Sequence, residues 1–217
     1  MMRESIMSIV DNLFVNYPDL KPYEDKIIKA FTVLKECYKN DGKVLACGNG
    51  GSAADCEHIV GELMKGFKLS RPITNEYYEK IESLYHGEGD YFYQGLQGAL
   101  PAISLVSHTA LLTAFVNDVD PDMIFAQQVL GYGKSGDVLI AMSTSGNSKN
   151  VVNAAKIAKT LGMKVIGFTG QNGGKLKEIC DVLIDVPSTE TYRVQEYHLP
   201  VYHALCAMVE EEFFGKQ

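Results

Sequence analysis

The sequence predicts a doubly wound three-layer α/β/α sandwich around a parallel sheet, and three observations predict it. Five short apolar runs, Lys43 to Cys47, Ala102 to Val106, Val138 to Met142, Lys164 to Thr169 and Val182 to Val186, alternate with segments of helical spacing. That is the pattern of strands buried on both faces by crossover helices. The first and third runs each lead through a glycine- and hydroxyl-rich turn into a helical segment, as strand-to-helix connections do in such sheets. The chain is 217 residues long with 46% hydrophobic and 22% charged residues, enough to bury a sizeable core within one domain.

Taken in order, Met7 to Lys39 carries apolar positions at helical spacing, interrupted from Tyr17 to Pro22, so two helices precede the first strand and make residues 1–40 a helical segment. Residues 68–100 fit neither element type. They are rich in tyrosine (Tyr77, Tyr78, Tyr85, Tyr91, Tyr93), end in glycines, and read as an insertion before the second strand with one helix around Glu76 to Tyr85. A surface excursion, a lid and an oligomer contact all fit this stretch. A long helix closes the chain, and residues 1–217 are read as a single domain.

Composition excludes several classes of function. A formal net charge of −7 argues against a nucleic-acid surface, which neutralises phosphates with clustered Lys and Arg. Five cysteines (Cys37, Cys47, Cys56, Cys180, Cys206) form no CxxC pair and read as reduced thiols. No apolar run approaches the roughly 18 residues of a membrane span, and the expected location is the cytoplasm.

Two turns carry the ligand chemistry. In VLACGNGGSAADCEHIV, Asn49, Gly50 and Gly51 let the backbone approach a ligand closely, and Ser52 is placed to cap the following helix. In VLIAMSTSGNSKNVVNAA, Ser143, Thr144, Ser145 and Ser148 offer hydroxyls to phosphate oxygens, and the helix from Lys149 adds its positive end. Neither turn matches GxxxxGKS or GxGxxG, so nucleotide and dinucleotide binding lose support. Farther on, His58 and Glu62 stand at i and i+4 on one helix face, and RVQEYHLPVYH places Gln195, His198 and His203 on the last helix.

Together, GNGGSAADCEHIVGEL, STSGNSKNVV, GMKVIGFTGQNGGKL and VQEYHLPVYH resemble, in the same order and at similar spacing, the phosphoheptose isomerase branch of the SIS (sugar isomerase) family. The resemblance covers nearly the whole chain except about residues 68–100. It implies a five-stranded parallel sheet of flavodoxin-like order, a homotetramer, and isomerisation of sedoheptulose 7-phosphate to D-glycero-D-manno-heptose 7-phosphate. Carried over residue by residue, it makes Glu62 the base, His203 the acid/base histidine and Gln195 a substrate contact. Some members also bind zinc, through positions that fall here on His58, Glu62, Gln195 and His203.

An aldose–ketose isomerase needs a base to move a proton between adjacent carbons through an enediolate, and an acid/base group to serve the two oxygens. Metal ligation opposes that role, because a zinc-bound carboxylate or imidazole is a poorer proton acceptor. A Lewis-acid zinc and a structural zinc both remain compatible with the residues. Gln195 and His203, eight residues apart, would lie about 12 Å apart along one helix. Either Pro200 bends that helix or the ligands come from different subunits; the second places the site at an interface.

Several positions depart from the family pattern and bear on the substrate: His108 where an acidic residue is frequent, Lys65, Gly66 and Phe67 where Gly and Arg are common, and Tyr192 in place of Asp. The competing reading is a catalytically silent SIS module that binds a sugar phosphate or a protein partner. The joint presence of Glu62, His58, Gln195 and His203 separates the enzyme from it.

Overall fold

The computed structural model describes residues 3–215. Two helices, α1 (Glu4–Asn16) and α2 (Glu24–Lys39), precede β1 (Val44–Cys47) and α3 (Gly51–Met64). The chain continues through α4 (Asn75–Leu84), α5 (Gly89–Gly95), β2 (Ala102–Ser104), α6 (Thr109–Asp118), α7 (Ile124–Tyr132), β3 (Val138–Met142) and α8 (Lys149–Thr160). It closes with β4 (Lys164–Gly170), β5 (Val182–Val186) and α9 (Thr191–Phe214). All five apolar runs form strands, and the two expected N-terminal helices flank a 3₁₀ turn at Pro18–Tyr23.

The strands pair in parallel in the order β2-β1-β3-β4-β5. Chain direction across the sheet reverses between β1 and β3, and the crevice beyond their carboxyl ends is where such sheets bind ligands.

Successive strand residues face opposite layers. Val44, Ala46, Val138, Ile140 and Phe168 join the core under α1, α2, α3 and α9. Leu45, Cys47, Leu139, Ala141 and Val165 join the core under α7 and α8. Central β1 and β3 are buried throughout, whereas edge strand β5 alternates buried and half-buried residues. α6 buries no residue although its sequence, TALLTAFVND, is apolar.

The insertion differs from expectation by one element: beyond α4, a second helix, α5, forms. Glu82 creates the turn between them, its two carboxylate oxygens accepting from Gly87 N (2.8 Å) and Gly89 N (2.9 Å). Tyr78 and Tyr93 then meet edge to face at 5.7 Å. Glycine spacing hid this helix, because Gly89 and Gly95 sit at its ends. The insertion leaves the last turn of α3 and re-enters at the start of β2, where Leu100 N bonds Leu63 O. Its base is therefore at the amino end of the sheet, opposite the two ligand turns.

Candidate active site

The first turn leaves β1 at Cys47 and starts α3 two residues earlier than expected. Gly50, at φ 55° and ψ −122°, takes a conformation closed to side chains, so α3 begins at Gly51. Ser52 consequently lies inside the first helical turn, 3% exposed, and is not the cap. Asn49 and Asn150 exchange two amide hydrogen bonds of 2.9 Å, tying the first turn to α8 behind the second.

In the second turn, Ser143 and Ser148 hydroxyls bond each other at 3.0 Å, and Ser143 Oγ faces Ser148 N at 3.4 Å. Thr144 is half-buried and Ser145 exposed. The turn is locked by the Gln171 to Lys175 segment: a Cβ on Gly146 would stand 2.0 Å from Gly173 O, and Lys175 N donates to Asn147 Oδ1 at 3.1 Å. This third strand-end loop contributes to the site through QNGGK, whose paired glycines are its signal in the sequence.

α3 and α9 pack side by side in the same direction. A Cβ on Gly51 would meet Gln195 Nε2 at 2.6 Å, Asp55 accepts from Tyr202 OH at 3.2 Å, and His58 Nε2 lies 3.4 Å from His203 Nε2. His58 Nε2 is also 3.2 Å from Glu62 Oε1. Residues from two distant parts of the sequence thus converge as one cluster of His58, Glu62 and His203. Gln195 stands apart at the first turn, because α9 runs unbroken through Pro200.

Glu62 is largely enclosed, with side-chain exposure of 12%, and its Oε2 accepts no hydrogen bond. Lys65 Nζ approaches that oxygen at 3.6 Å, a cation in the displaced basic position. The Phe67 ring packs on His203 with centroids 5.6 Å apart. Burial pushes the His203 pKa down and the neighbouring His58 lowers it further, against the attraction of Glu62. A cavity of about 560 Å³ opens beside His203 between α1 and α9, with Asn12, Asn16, Lys68 and Pro200 in its walls.

Arg71 fixes the far end of α3, a role sequence reasoning missed. It donates to Leu63 O (2.7 Å) and Glu62 O (3.0 Å), and its Nε lies 2.7 Å from Glu210 Oε1. Glu210 also accepts from the backbone N–H groups of Phe67, Lys68 and Leu69. Of the departing positions, Lys65 and Phe67 thus border the cluster, whereas His108 stands just before α6 without a side-chain capping bond and stacks on Tyr132 at 5.6 Å, and Tyr192 is exposed at the start of α9. His198 is fully buried and bonds Thr169 O at 3.2 Å, a packing role.

Among the described residues, no group of three or more His, Cys, Asp or Glu side chains forms a ready-made metal shell. The spacings of 3.2 Å (His58 to Glu62) and 3.4 Å (His58 to His203) nevertheless match donor atoms sharing one tetrahedral zinc at about 2.0–2.1 Å from each. The donor chemistry of these three residues fits zinc. Gln195 does not join them within one chain.

A family model described as SIS domain matches residues 20–83 and 97–170. The phosphoheptose isomerase of Burkholderia pseudomallei is 43% identical over 176 residues, 81% of this chain and 76% of that protein. The phosphoheptose isomerase of Clostridium acetobutylicum is 42% identical over 195 residues, 90% of this chain and 86% of that protein. The solved structure of phosphoheptose isomerase from Neisseria gonorrhoeae matches at TM-score 0.73 and 33% identity, covering 96% of this chain and 98% of that one.

Proposed function

The chain belongs to the SIS-domain family, in its phosphoheptose isomerase branch, and from that premise we propose that it interconverts sedoheptulose 7-phosphate and D-glycero-D-manno-heptose 7-phosphate. The observation that carries this reading is the convergence of His58 and Glu62 from α3 with His203 from α9. A silent binding module has no need of an enclosed carboxylate beside two imidazoles, and that alternative is not favoured.

The phosphate would be held by Asn49, Gly50, Gly51 and Ser52 of the first turn and Ser143, Thr144, Ser145 and Ser148 of the second. Backbone N–H groups and the positive ends of α3 and α8 face that crevice. Glu62 takes the proton from one carbon and returns it to its neighbour, its buried Oε2 having no hydrogen-bond partner of its own. His203, held neutral at physiological pH by burial, presents both a donor and an acceptor nitrogen for the two sugar oxygens. Where zinc is bound, His58, Glu62 and His203 would hold it, and it would serve as a Lewis acid toward those oxygens.

Within one chain the backbone positions at the two ends of this site lie far apart. Gly51 and Glu62 are eleven residues apart on α3, about 16 Å along its axis. Six C–C bonds of about 1.5 Å and a phosphate ester fall short of that span. This supports a site shared between subunits, in which the turns and Gln195 of one copy meet Glu62 and His203 of another, within the tetramer the family resemblance implies. The location that fits a soluble sugar-phosphate substrate is the cytoplasm; among the described residues no helix is long and apolar enough to cross a membrane.

The test is turnover of sedoheptulose 7-phosphate and a panel of other ketose phosphates, with and without added zinc, followed by NMR of the aldose product. Turnover of the heptose is expected. A wild-type protein inert toward the whole panel would leave only the binding module, and a monomer in light scattering would rule out the shared site.

A further inference from the structure

Behind the His58, Glu62 and His203 cluster lies a second line of contacts. His58 Nδ1 is 3.0 Å from the Tyr202 hydroxyl, and that hydroxyl is 3.2 Å from Asp55 Oδ1. Tyr202 is 2% exposed, and its ring packs edge to face on both His58 (5.6 Å) and His203 (5.0 Å). The other Asp55 oxygen is buried without a partner.

The direction of these bonds follows from counting protons. A carboxylate only accepts, so the single Tyr202 proton goes to Asp55, and the hydroxyl oxygen is left to accept from His58 Nδ1–H. A neutral His58 then has no proton on Nε2, the nitrogen that faces Glu62 Oε1 and His203 Nε2. We infer that Tyr202, seated on Asp55, is a positioning residue that fixes His58 with its proton on Nδ1 and its Nε2 lone pair turned toward Glu62 and His203.

The arrangement gives the cluster a defined acceptor. With the Nε2 lone pair turned inward, His58 can accept a hydrogen bond from His203 Nε2–H or coordinate a cation without first changing tautomer. Loss of the Tyr202 hydroxyl frees Nδ1 and lets the proton move to Nε2, where it would occupy the space between the three side chains. Partners that orient an imidazole from behind typically change activity or metal affinity about 10- to 100-fold when removed. The kinetic part of this inference rests on the isomerase reading above; the tautomer does not.

The experiment uses full-length protein labelled with ¹⁵N-histidine, stripped of metal with chelator, at neutral pH. Long-range ¹H–¹⁵N correlation reads the tautomer, and His58 is assigned by the signal missing from His58→Gln. Wild type is expected to show Nδ1–H at His58. Tyr202→Phe, which keeps the ring and its packing, is expected to shift His58 toward Nε2–H and lower kcat about tenfold with KM changed less than about twofold. Asp55→Asn, whose side-chain oxygen still accepts, should keep the wild-type tautomer, whereas Asp55→Leu should lose it and serves if Tyr202→Phe does not fold. An Nε2–H wild-type His58, or an unchanged tautomer in Tyr202→Phe and Asp55→Leu, overturns the inference. Wild-type protein with the expected tautomer but no turnover would sink the isomerase reading alone.

Discussion

Arg71 and Glu210 meet inside the protein at 2.7 Å, 1% and 0% exposed, and between them they hold both the last turn of α3 and the chain that leaves it. Removing one partner strands a buried charge, which typically costs about 3–5 kcal/mol. Glu210→Ala is expected to lower stability by that amount in urea unfolding. Because Arg71 is bonded to Glu62 O, kcat should fall in the protein that remains folded.

The proposed proton-transfer pair should separate cleanly from folding. Glu62→Gln preserves shape and removes the proposed base, and His203→Ala removes a half-buried ring at the rim of a cavity. Each is expected to lower kcat at least about 10²–10⁴-fold, the usual contribution of a positioned acid or base. Circular dichroism and melting curves should stay close to wild type.

Gly146→Ala addresses the phosphate end. Gly146 has φ 67°, and its new methyl group would meet Gly173 O at 2.0 Å, so the second turn must part from the Gln171 to Lys175 segment. The expected result is a rise in KM of tenfold or more with a smaller change in kcat. A loss of more than about 1 kcal/mol in stability should accompany it.

His198 gives the fold a pH dependence. Burial lowers its pKa from 6.5 to about 4 in the native protein. The unfolded chain therefore binds a proton below about pH 6.5 that the folded chain refuses until about pH 4. Stability is fully present above this window and falls as pH drops through it, by about 2 kcal/mol between about pH 7.5 and pH 5 from this residue alone. Denaturant midpoints at the two pH values should show the difference, and His198→Phe should reduce it.

Periodicity is sufficient to read all five strands and the two N-terminal helices, though not α5, because a buried parallel sheet writes itself as short apolar runs. The two ligand turns were legible for the same reason: each follows a strand and opens a helix. Ser52 has the sequence of a cap but is not one, because the backbone geometry of Gly50 starts the helix earlier. The grouping of His58 with His203, and the separation of Gln195 from both, depends on how α3 and α9 lie against each other, which neither helix encodes alone. Arg71 and Glu210 left no pattern at all: 139 residues separate them, and each looks like a surface charge until both are buried.

Where residues 68–100 join the domain, Pro72 pairs with Gln97 and Gly98 N bonds Arg71 O at 2.6 Å. Exit and re-entry are thus nearly one place, as in a hem stitched closed at its edge. Chain length beyond that seam is decoupled from strand register, so residues can be gained, lost or exchanged there while every strand, turn and catalytic side chain keeps its place.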